Sequence, residues 1–502
     1  MTTPATSTST RFAAARAKLI QAGQEHVLRF YDELPSEAQR TALLDQIDGL
    51  DLASLENLAA EYVFKKPTVH LPPEVQPAPY YPVDPGAQGK GSALRYDRAA
   101  AKAKGQSLLK AGKVAAFVVA GGQGSRLGYD GPKGCYPAGA VTDAPLFAIF
   151  AQGLLGAQDR YGHEVPWYVM TSPLNHRQTV EFFEAHRFFG LKASNVRFFQ
   201  QGVLPSLDMQ TGRLMLAEKG VIATNPDGHG GSLKALHHSG AIADMKSRGV
   251  EIVSYFQVDN PLVNILDPIF IGLHAGAGGA ASSAQMSSKM VAKRDAAEKV
   301  GVFCAHGAGP RAGRVEVIEY SDMPPALSQE RLPDGSLRFC AGSIAVHAIG
   351  VHFIEQLNTD PHFRLPLHRA EKKIPCIDPR SGAPISPAAN NGVKLEAFVF
   401  DALPMCERSV VMETLRTEEF APIKNADGAD SPASCREIQT ARAAAWLELA
   451  GVAVPRDASG RADCVLEISP RSATTADELA ESAASGRIRL PKAVERGQRL
   501  AL

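Results

Sequence analysis

Residues able to do chemistry are densest where Val118-Val119-Ala120-Gly121-Gly122-Gln123-Gly124-Ser125-Arg126-Leu127-Gly128 runs on to Gly131-Pro132-Lys133-Gly134. An apolar, strand-like run over 114–120 enters a glycine-rich turn that carries Arg126 and then Lys133. Small side chains let backbone N–H groups approach an anion that both cations also reach, which is the design of a nucleoside-triphosphate cradle. Register excludes two better-known cradles. The dinucleotide fingerprint G-x-G-x-x-G needs glycine where Leu127 stands, and the Walker loop needs its lysine after the last glycine, whereas Lys133 precedes Gly134.

Three later segments carry further candidates. Thr224-Asn225-Pro226-Asp227-Gly228-His229-Gly230-Gly231-Ser232 is a second glycine-rich turn. Its backbone can approach a flat or polar ligand while His229 presents a donor and an acceptor; a solvent-facing histidine in a left-handed loop is the alternative. Phe256-Gln257-Val258-Asp259-Asn260-Pro261 sets a carboxylate at the end of an apolar strand. A hard Mg²⁺ ion on triphosphate oxygens needs only one or two carboxylates; a turn-capping aspartate fits the same residues. Finally, Glu419-Phe420-Ala421-Pro422-Ile423-Lys424-Asn425-Ala426 holds a lysine that can fold back over a phosphate or stay solvated at the surface.

Composition frames what these segments can serve. Lys+Arg and Asp+Glu are equal at 53 each, so there is no global basic field to gather a nucleic acid polymer or an anionic membrane. Anion binding must be local, and the partners are expected to be small molecules. Seven scattered cysteines without a C-x-x-C imply a reduced, cytoplasmic compartment and no zinc site. No apolar run is long enough to span a bilayer, and Arg11, Arg16 and Lys18 interrupt any N-terminal signal core.

The elements that must position the candidates alternate in type. Helical spacing over residues 12–63, with a capping box at Ser36 and Gln39 and a cap at Asp51, predicts a small helical unit at 1–64. Seven prolines within 65–91 predict an extended strap, assigned to 65–104. Strands at 114–120, 165–171, 196–200 and 250–258 then alternate with helices at 146–158, 174–188 and 232–246. That order predicts an α/β fold with a mostly parallel sheet and ligands at the carboxyl ends of its strands. Added strands are expected at 315–320, 337–346 and 398–400, with a helix at 436–449. The catalytic domain is assigned to 105–405 and a small C-terminal lobe carrying the Lys424 loop to 406–502.

Taken in order, the segments resemble the eukaryotic-type UTP:sugar-1-phosphate uridylyltransferases, most closely the UDP-N-acetylhexosamine pyrophosphorylase branch. The resemblance rests on the 120–134 block and on Phe198-Phe199-Gln200-Gln201-Gly202, Pro226-Asp227-Gly228, Val258-Asp259-Asn260 and Asn391-Gly392-Val393-Lys394-Leu395-Glu396. Pro422-Ile423-Lys424-Asn425-Ala426, Ala22-Gly23-Gln24-Glu25-His26 and Glu467-Ile468-Ser469-Pro470 extend it over nearly the whole chain. It implies a Rossmann-like nucleotidyltransferase core that joins UTP to a sugar 1-phosphate, N-acetylglucosamine 1-phosphate being expected, and releases pyrophosphate. By the same resemblance Gly121, Gly122, Gln201 and Gly228 surround the uracil, Arg126 and Lys133 hold the triphosphate, Asp259 holds Mg²⁺ and Lys424 holds the sugar phosphate. Glu319, His229 and Ser343 are then the sugar contacts. His229 and Ser343 stand where the N-acetylhexosamine branch carries asparagine, so a glucose-type or broad UDP-sugar enzyme is the rival, and a nucleotide-sugar-binding regulator the non-enzymatic one.

Overall fold

Residues Val114–Val119 read Val-Ala-Ala-Phe-Val-Val, apolar at every position instead of at alternate ones, and the chain buries both faces of the strand they form. Continuous apolar runs of this kind belong to parallel strands covered by helices. The computed structural model describes residues 8–502 apart from 66, 68–70, 73, 90 and 361–362. Ten strands form one mixed sheet: β1 (Val75–Pro77), β2 (Val114–Val119), β3 (Trp167–Thr171), β4 (Val196–Gln200), β5 (Ile252–Gln257), β6 (Met286–Ala292), β7 (Val302–His306), β8 (Val315–Ile318), β9 (Ala341–Gly350) and β10 (Val411–Glu413). The spatial order is β1-β7-β9-β5-β2-β3-β4, with β6 paired to both β9 and β10, and β8 paired to β7. β5, β2, β3 and β4 run parallel, while β9 lies antiparallel to β5.

This sheet belongs to the larger of two compact units, which takes Leu71–Gln201, Ser232–Arg364 and Phe400–Leu502. The expected α/β core is present. From β2 the chain winds outward through helix Leu146–Tyr161 to β3 and helix His176–Ala185 to β4, whereas β5 enters on the opposite side of β2. Winding therefore reverses between β2 and β5, and open α/β sheets bind ligands in the crevice at such a switch point. The proline-rich segment joins the sheet, since β1 pairs with β7 and Tyr81 bridges Met412, and the strap expected at 65–104 is overrun at its end by helix Arg98–Lys110. Pro77 is tolerated because β1 is an edge strand. Pro73, one of the seven prolines, lies outside the described residues.

Several sequence expectations change in detail, among them the strand expected at 337–346, which runs over Ala341–Gly350. The helix expected at 232–246 is two helices, Ser232–His238 and Ala241–Ser247, broken at Gly240 with φ +75°. The helix expected at 174–188 ends at Ala185, because Arg187, Phe188 and Phe189 adopt positive φ. The C-terminal helix begins four residues before its expected start: Pro432–Leu449 is opened by a reciprocal Ser431/Ser434 capping box. Beyond it, Glu467 accepts the backbone N–H groups of Val141 and Thr142 at 2.7 and 2.9 Å, which fixes the loop that follows the glycine turn.

The other unit takes Met1–His70, Gly202–Gly231 and Leu365–Val399. Leu43, Leu44 and Ile47 of helix Glu37–Asp48 pack with Leu207, Val393 and Leu395 from a small sheet of Leu367–Lys372, Gly392–Ala397 and Leu207–Asp208. Ser36 caps that helix through the Gln39 N–H, but Asp51 makes no capping bond to the next turn. The Gln24 and His26 side chains bond Leu214 N–H and carbonyl at 2.9 and 2.8 Å, which gives the Ala22–His26 motif its place. Leu367–Lys372 pairs with Gly392–Ala397, and the strand expected at 398–400 does not form. There, Val399 N–H donates to His229 Nδ1 at 3.1 Å instead of continuing the ladder.

A buried glycine in the helix after β2 offers a test of the packing. A Cβ on Gly156 would lie 2.7 Å from the carbonyl oxygen and 2.8 Å from the Cα of Arg471, both backbone atoms that cannot swing aside. Gly156→Ala should therefore destabilise the fold by about 1–3 kcal/mol in urea unfolding, although glycine-to-alanine in an open helix gains up to about 1 kcal/mol. A stabilised variant would overturn this packing.

Candidate functional site

β2 and β5 deliver their carboxyl ends side by side, and each continues directly into candidate residues. After β2 the turn is closed by Lys133 N–H donating to Gly122 carbonyl at 3.1 Å and by Gly124 N–H donating to Gly131 carbonyl at 2.9 Å. Asn175, fully buried after β3, donates through Nδ2 to the Ala120 and Gly122 carbonyls at 2.9 and 3.2 Å. With these carbonyls turned inward, the N–H groups of Gly121, Gly122 and Gln123 have no acceptor among the described residues. Sequence reasoning missed Asn175, whose only signal is its place just past a strand end.

Gly121 and Gly122 differ in what a side chain there would meet. A Cβ on Gly121 would sit 2.1 Å from Gln201 Oε1, so the amide of Gln201 lies directly against this backbone; nothing stands within 4 Å of a Cβ on Gly122, which opens to space. Gln201 is itself held after β4 by its N–H donating to Thr171 carbonyl at 2.8 Å. An amide facing a bare glycine is suited to pairing with the polar edge of a flat ring.

Lys133 and Asp259 meet in the same crevice, Nζ to Oδ2 at 4.0 Å, each side chain only about 15% exposed (15% and 14%). Burial pushes the Lys133 ammonium below the ordinary lysine range; Asp259 pulls it up, and the charges of Lys424 and Arg126 push it down. Lys133 thus feels both other cations, so the structure brings Arg126, Lys133, Lys424 and Asp259 within electrostatic reach. Arg126 and Lys424 are exposed and have no ion-pair partner among the described residues. Three cations face one carboxylate, and the surplus suits a polyanion.

Lys424 comes from far along the chain, and its approach is built by backbone. Ile423 N–H donates to the Asp259 carbonyl at 2.8 Å, Asn260 Nδ2 donates to the Glu419 carbonyl at 2.7 Å, and Ala421 N–H donates to Asn260 Oδ1 at 3.1 Å. Beneath this seam lies a group that the sequence did not mark. Lys289 of β6 is wholly buried, with Nζ 2.8 Å from Asp267 and 2.7 Å from Glu419. Its sequence setting, Ser287-Ser288-Lys289-Met290, reads as a surface lysine.

Glu319 and Ser343 are also brought together. Ser343 N–H donates to Gly301 carbonyl at 2.8 Å, and Glu319 Oε1 lies 3.0 Å from a Cβ built on that glycine. Ser343 stands on β9, whose antiparallel register with β5 ends at Tyr255↔His347; it lies further toward the end where β5 delivers Asp259. A second buried lysine, Lys293, approaches Gly342 through its Cγ, and burial lowers its pKa.

Gly228 and His229 belong to the other unit. Gly228 has φ +82°, and a Cβ would strike the Ala397 carbonyl at 2.4 Å, so only glycine fits. His229 stacks on Phe398 at 5.0 Å and 10°, and Phe398 stacks on His368 at 4.1 Å. The ring is half-buried, not solvent-facing, and its Nδ1 accepts from Val399 N–H.

Burial, and after it the His368 ring, push His229 from 6.5 down to about 4, so the imidazole is neutral at physiological pH. The unfolded chain then binds a proton that the folded chain refuses, so stability falls as pH drops from 6.5 towards about 4. His229 should titrate with a midpoint near 4 by NMR, and urea unfolding at stepped pH should show His229→Asn removing part of that acid loss. A midpoint at 6.5 or above would remove the desolvated stack.

Residues 79–430 match the UTP–glucose-1-phosphate uridylyltransferase family. The chain is 36% identical over 452 residues to UDP-N-acetylhexosamine pyrophosphorylase-like protein 1 of Xenopus tropicalis, covering 87% of this chain and 84% of that one. It is 32% identical to UDP-N-acetylglucosamine diphosphorylase 2 of Arabidopsis thaliana, covering 95% and 92%. Its structure is similar to that of the uridine diphosphate N-acetylglucosamine pyrophosphorylase of Trypanosoma brucei, with a TM-score of 0.78, 25% identity and 99% of each chain covered.

Proposed function

The chain belongs to the UTP–glucose-1-phosphate uridylyltransferase family, and from that premise we propose that it transfers the uridylyl group of UTP to N-acetylglucosamine 1-phosphate, releasing pyrophosphate. The observation that carries the reading is the excess of positive charge around Asp259: Lys133 is desolvated and feels Lys424 and Arg126 across a crevice at the sheet's switch point. The choice of sugar rests on the names of the relatives, which point to N-acetylhexosamine.

In this reading a phosphate oxygen of the sugar 1-phosphate attacks the α-phosphorus of UTP in line. The bond to the bridging oxygen of the leaving pyrophosphate breaks as the new one forms. The nucleophile is already ionised, so acceleration comes from positioning and from charge dispersal, with no general base. Arg126 and Lys133 take the triphosphate, and Lys424 lowers the repulsion between the two anions. Gly121, Gly122 and Gln201 face the uracil, and Glu319 and Ser343 read the sugar; Gly228 and His229 keep only the base and sugar roles that the resemblance implies, His229 as a neutral hydrogen-bonding group.

Asp259 fits a divalent cation of the Mg²⁺ type, since one carboxylate at a strand end beside phosphate-binding groups is the donor set such an ion takes. When bound, that ion would add further charge neutralisation on the phosphates. The reading places the reaction in the cytoplasm with soluble small-molecule partners. No helix among the described residues is long and apolar enough to cross a membrane.

Lys133→Ala should cost turnover on the order of 10²-fold or more with urea unfolding little changed, because burial of the Lys133 charge outweighs what its 4.0 Å pairing with Asp259 returns. Turnover within a few-fold of wild type would displace Lys133 from the phosphates. The reaction itself is tested by pyrophosphate release from UTP or ATP with a panel of sugar 1-phosphates. UTP with N-acetylglucosamine 1-phosphate should be the best pair, with some tolerance of glucose and N-acetylgalactosamine derivatives. Equal rates with ATP would count against the uridylyl reading. A preference for glucose 1-phosphate on the order of a hundredfold, more than one lost polar contact explains, would replace the sugar alone.

A further inference from the structure

We infer that Glu419, clamped by the buried Lys289, is a positioning residue that sets where Lys424 stands relative to Asp259. The inference rests on the uridylyl-transfer reading, in which those two residues face the substrates' phosphates. Glu419 binds Lys289 through both carboxylate oxygens, at 2.8 and 2.7 Å, and accepts from Thr414 Oγ1 at 2.7 Å and Asn264 N–H at 3.2 Å. Its own carbonyl accepts from Asn260 Nδ2, the residue beside Asp259. One residue therefore joins the buried cation to the seam in which Ala421 N–H meets Asn260 and Ile423 N–H meets the Asp259 carbonyl.

Lys289 is fixed from the opposite side as well. Asp267, its second carboxylate, accepts from Ile269 and Phe270 N–H at 2.9 and 3.4 Å and so caps helix Pro268–His274. The ammonium also lies 5.5 Å from the Phe270 ring centroid. Strand β6, the helix cap and the loop before Lys424 thus share one desolvated charge, and the loop cannot shift without drawing Glu419 off it. A salt bridge needed for packing alone would not have to stand one hydrogen bond from Asn260, the residue after the site's carboxylate.

The variant Glu419→Gln keeps the shape and removes the charge. In steady-state kinetics it should raise KM for the sugar 1-phosphate about tenfold or more, leave KM for UTP within about twofold, and speed hydrogen exchange at the Ala421 and Ile423 amides. Gly156→Ala is the control for lost stability, since it lies at the far end of the helix after β2; it should leave both KM values and those amides unchanged. If Glu419→Gln does not fold, Thr414→Val, which loosens Glu419 by one hydrogen bond, should shift the same two readouts in the same direction by a smaller factor. Unchanged amide exchange and unchanged KM in whichever variant folds overturn the positioning role. A wild-type protein that releases no pyrophosphate overturns the uridylyl reading instead, and amide exchange then decides the positioning role by itself.

Discussion

A lysine with no solvent exposure, held between two carboxylates, is the constraint to which the catalytic half of the molecule is fitted. Taking such charges out of water costs several kcal/mol per ion, and removing one partner from a buried pair costs about 3–5 kcal/mol, because the other charge is stranded. Lys289 stays ionised: burial would push its pKa down, but Asp267 and Glu419 outweigh burial and raise it. Asp267 is lowered in turn, because Lys289 offsets the cost of burying its carboxylate. The network therefore has one favourable arrangement, and it ties a central strand, a helix N-terminus and the Lys424 loop to the same point.

Positive charge at the mouth of the crevice depends on that rigidity. Arg126, Lys133 and Lys424 repel one another, and in the desolvated crevice this repulsion contributes to the lowered pKa of Lys133. Without a fixed backbone, the cations would relax apart into solvent. The turn after β2 is held by Asn175 and by its own cross-strand bonds, and the Lys424 loop is held by Asn260 and Glu419. The repulsion is thus kept available for relief by an anion, which is how preorganised charge favours a developing negative centre.

What could be read from the sequence follows from whether a residue's neighbours lie close in the chain. The run Val114–Val119 and the glycines after it are local signals, and so is an aspartate at the end of an apolar strand; these marked two of the parallel strands and the candidate residues at their carboxyl ends. Lys424 was marked as a candidate, but only the resemblance chose a phosphate role over a solvated surface lysine, since nothing in Pro422-Ile423-Lys424 shows that Ile423 will bond the Asp259 carbonyl. Lys289 and Asn175 were missed because their partners lie up to 130 residues away. Residues 398–400 have strand composition, yet the stack of Phe398 on His229 and His368 turns them aside, a contact made across about 170 residues. The compact units are discontinuous for the same reason: chain segments are sorted by the surfaces they bury.

His229, held near 4, is too weak a base to take a proton near neutrality, and the proposed reaction asks for none. A phosphate monoester already carries the negative charge it needs to attack, so this arrangement costs the reaction nothing, provided that the two anions are brought into line against their own repulsion. That task falls to geometry and charge, whose value decays with misplacement on the order of 1 Å. A buried ion network is a stiff way to meet such a tolerance, because its desolvated charges cannot exchange partners with water as surface pairs do. The catalytic demand and the buried lysine are therefore linked: chemistry that uses no base leaves positioning as the main lever, and positioning is what Lys289, Glu419 and Asn260 supply.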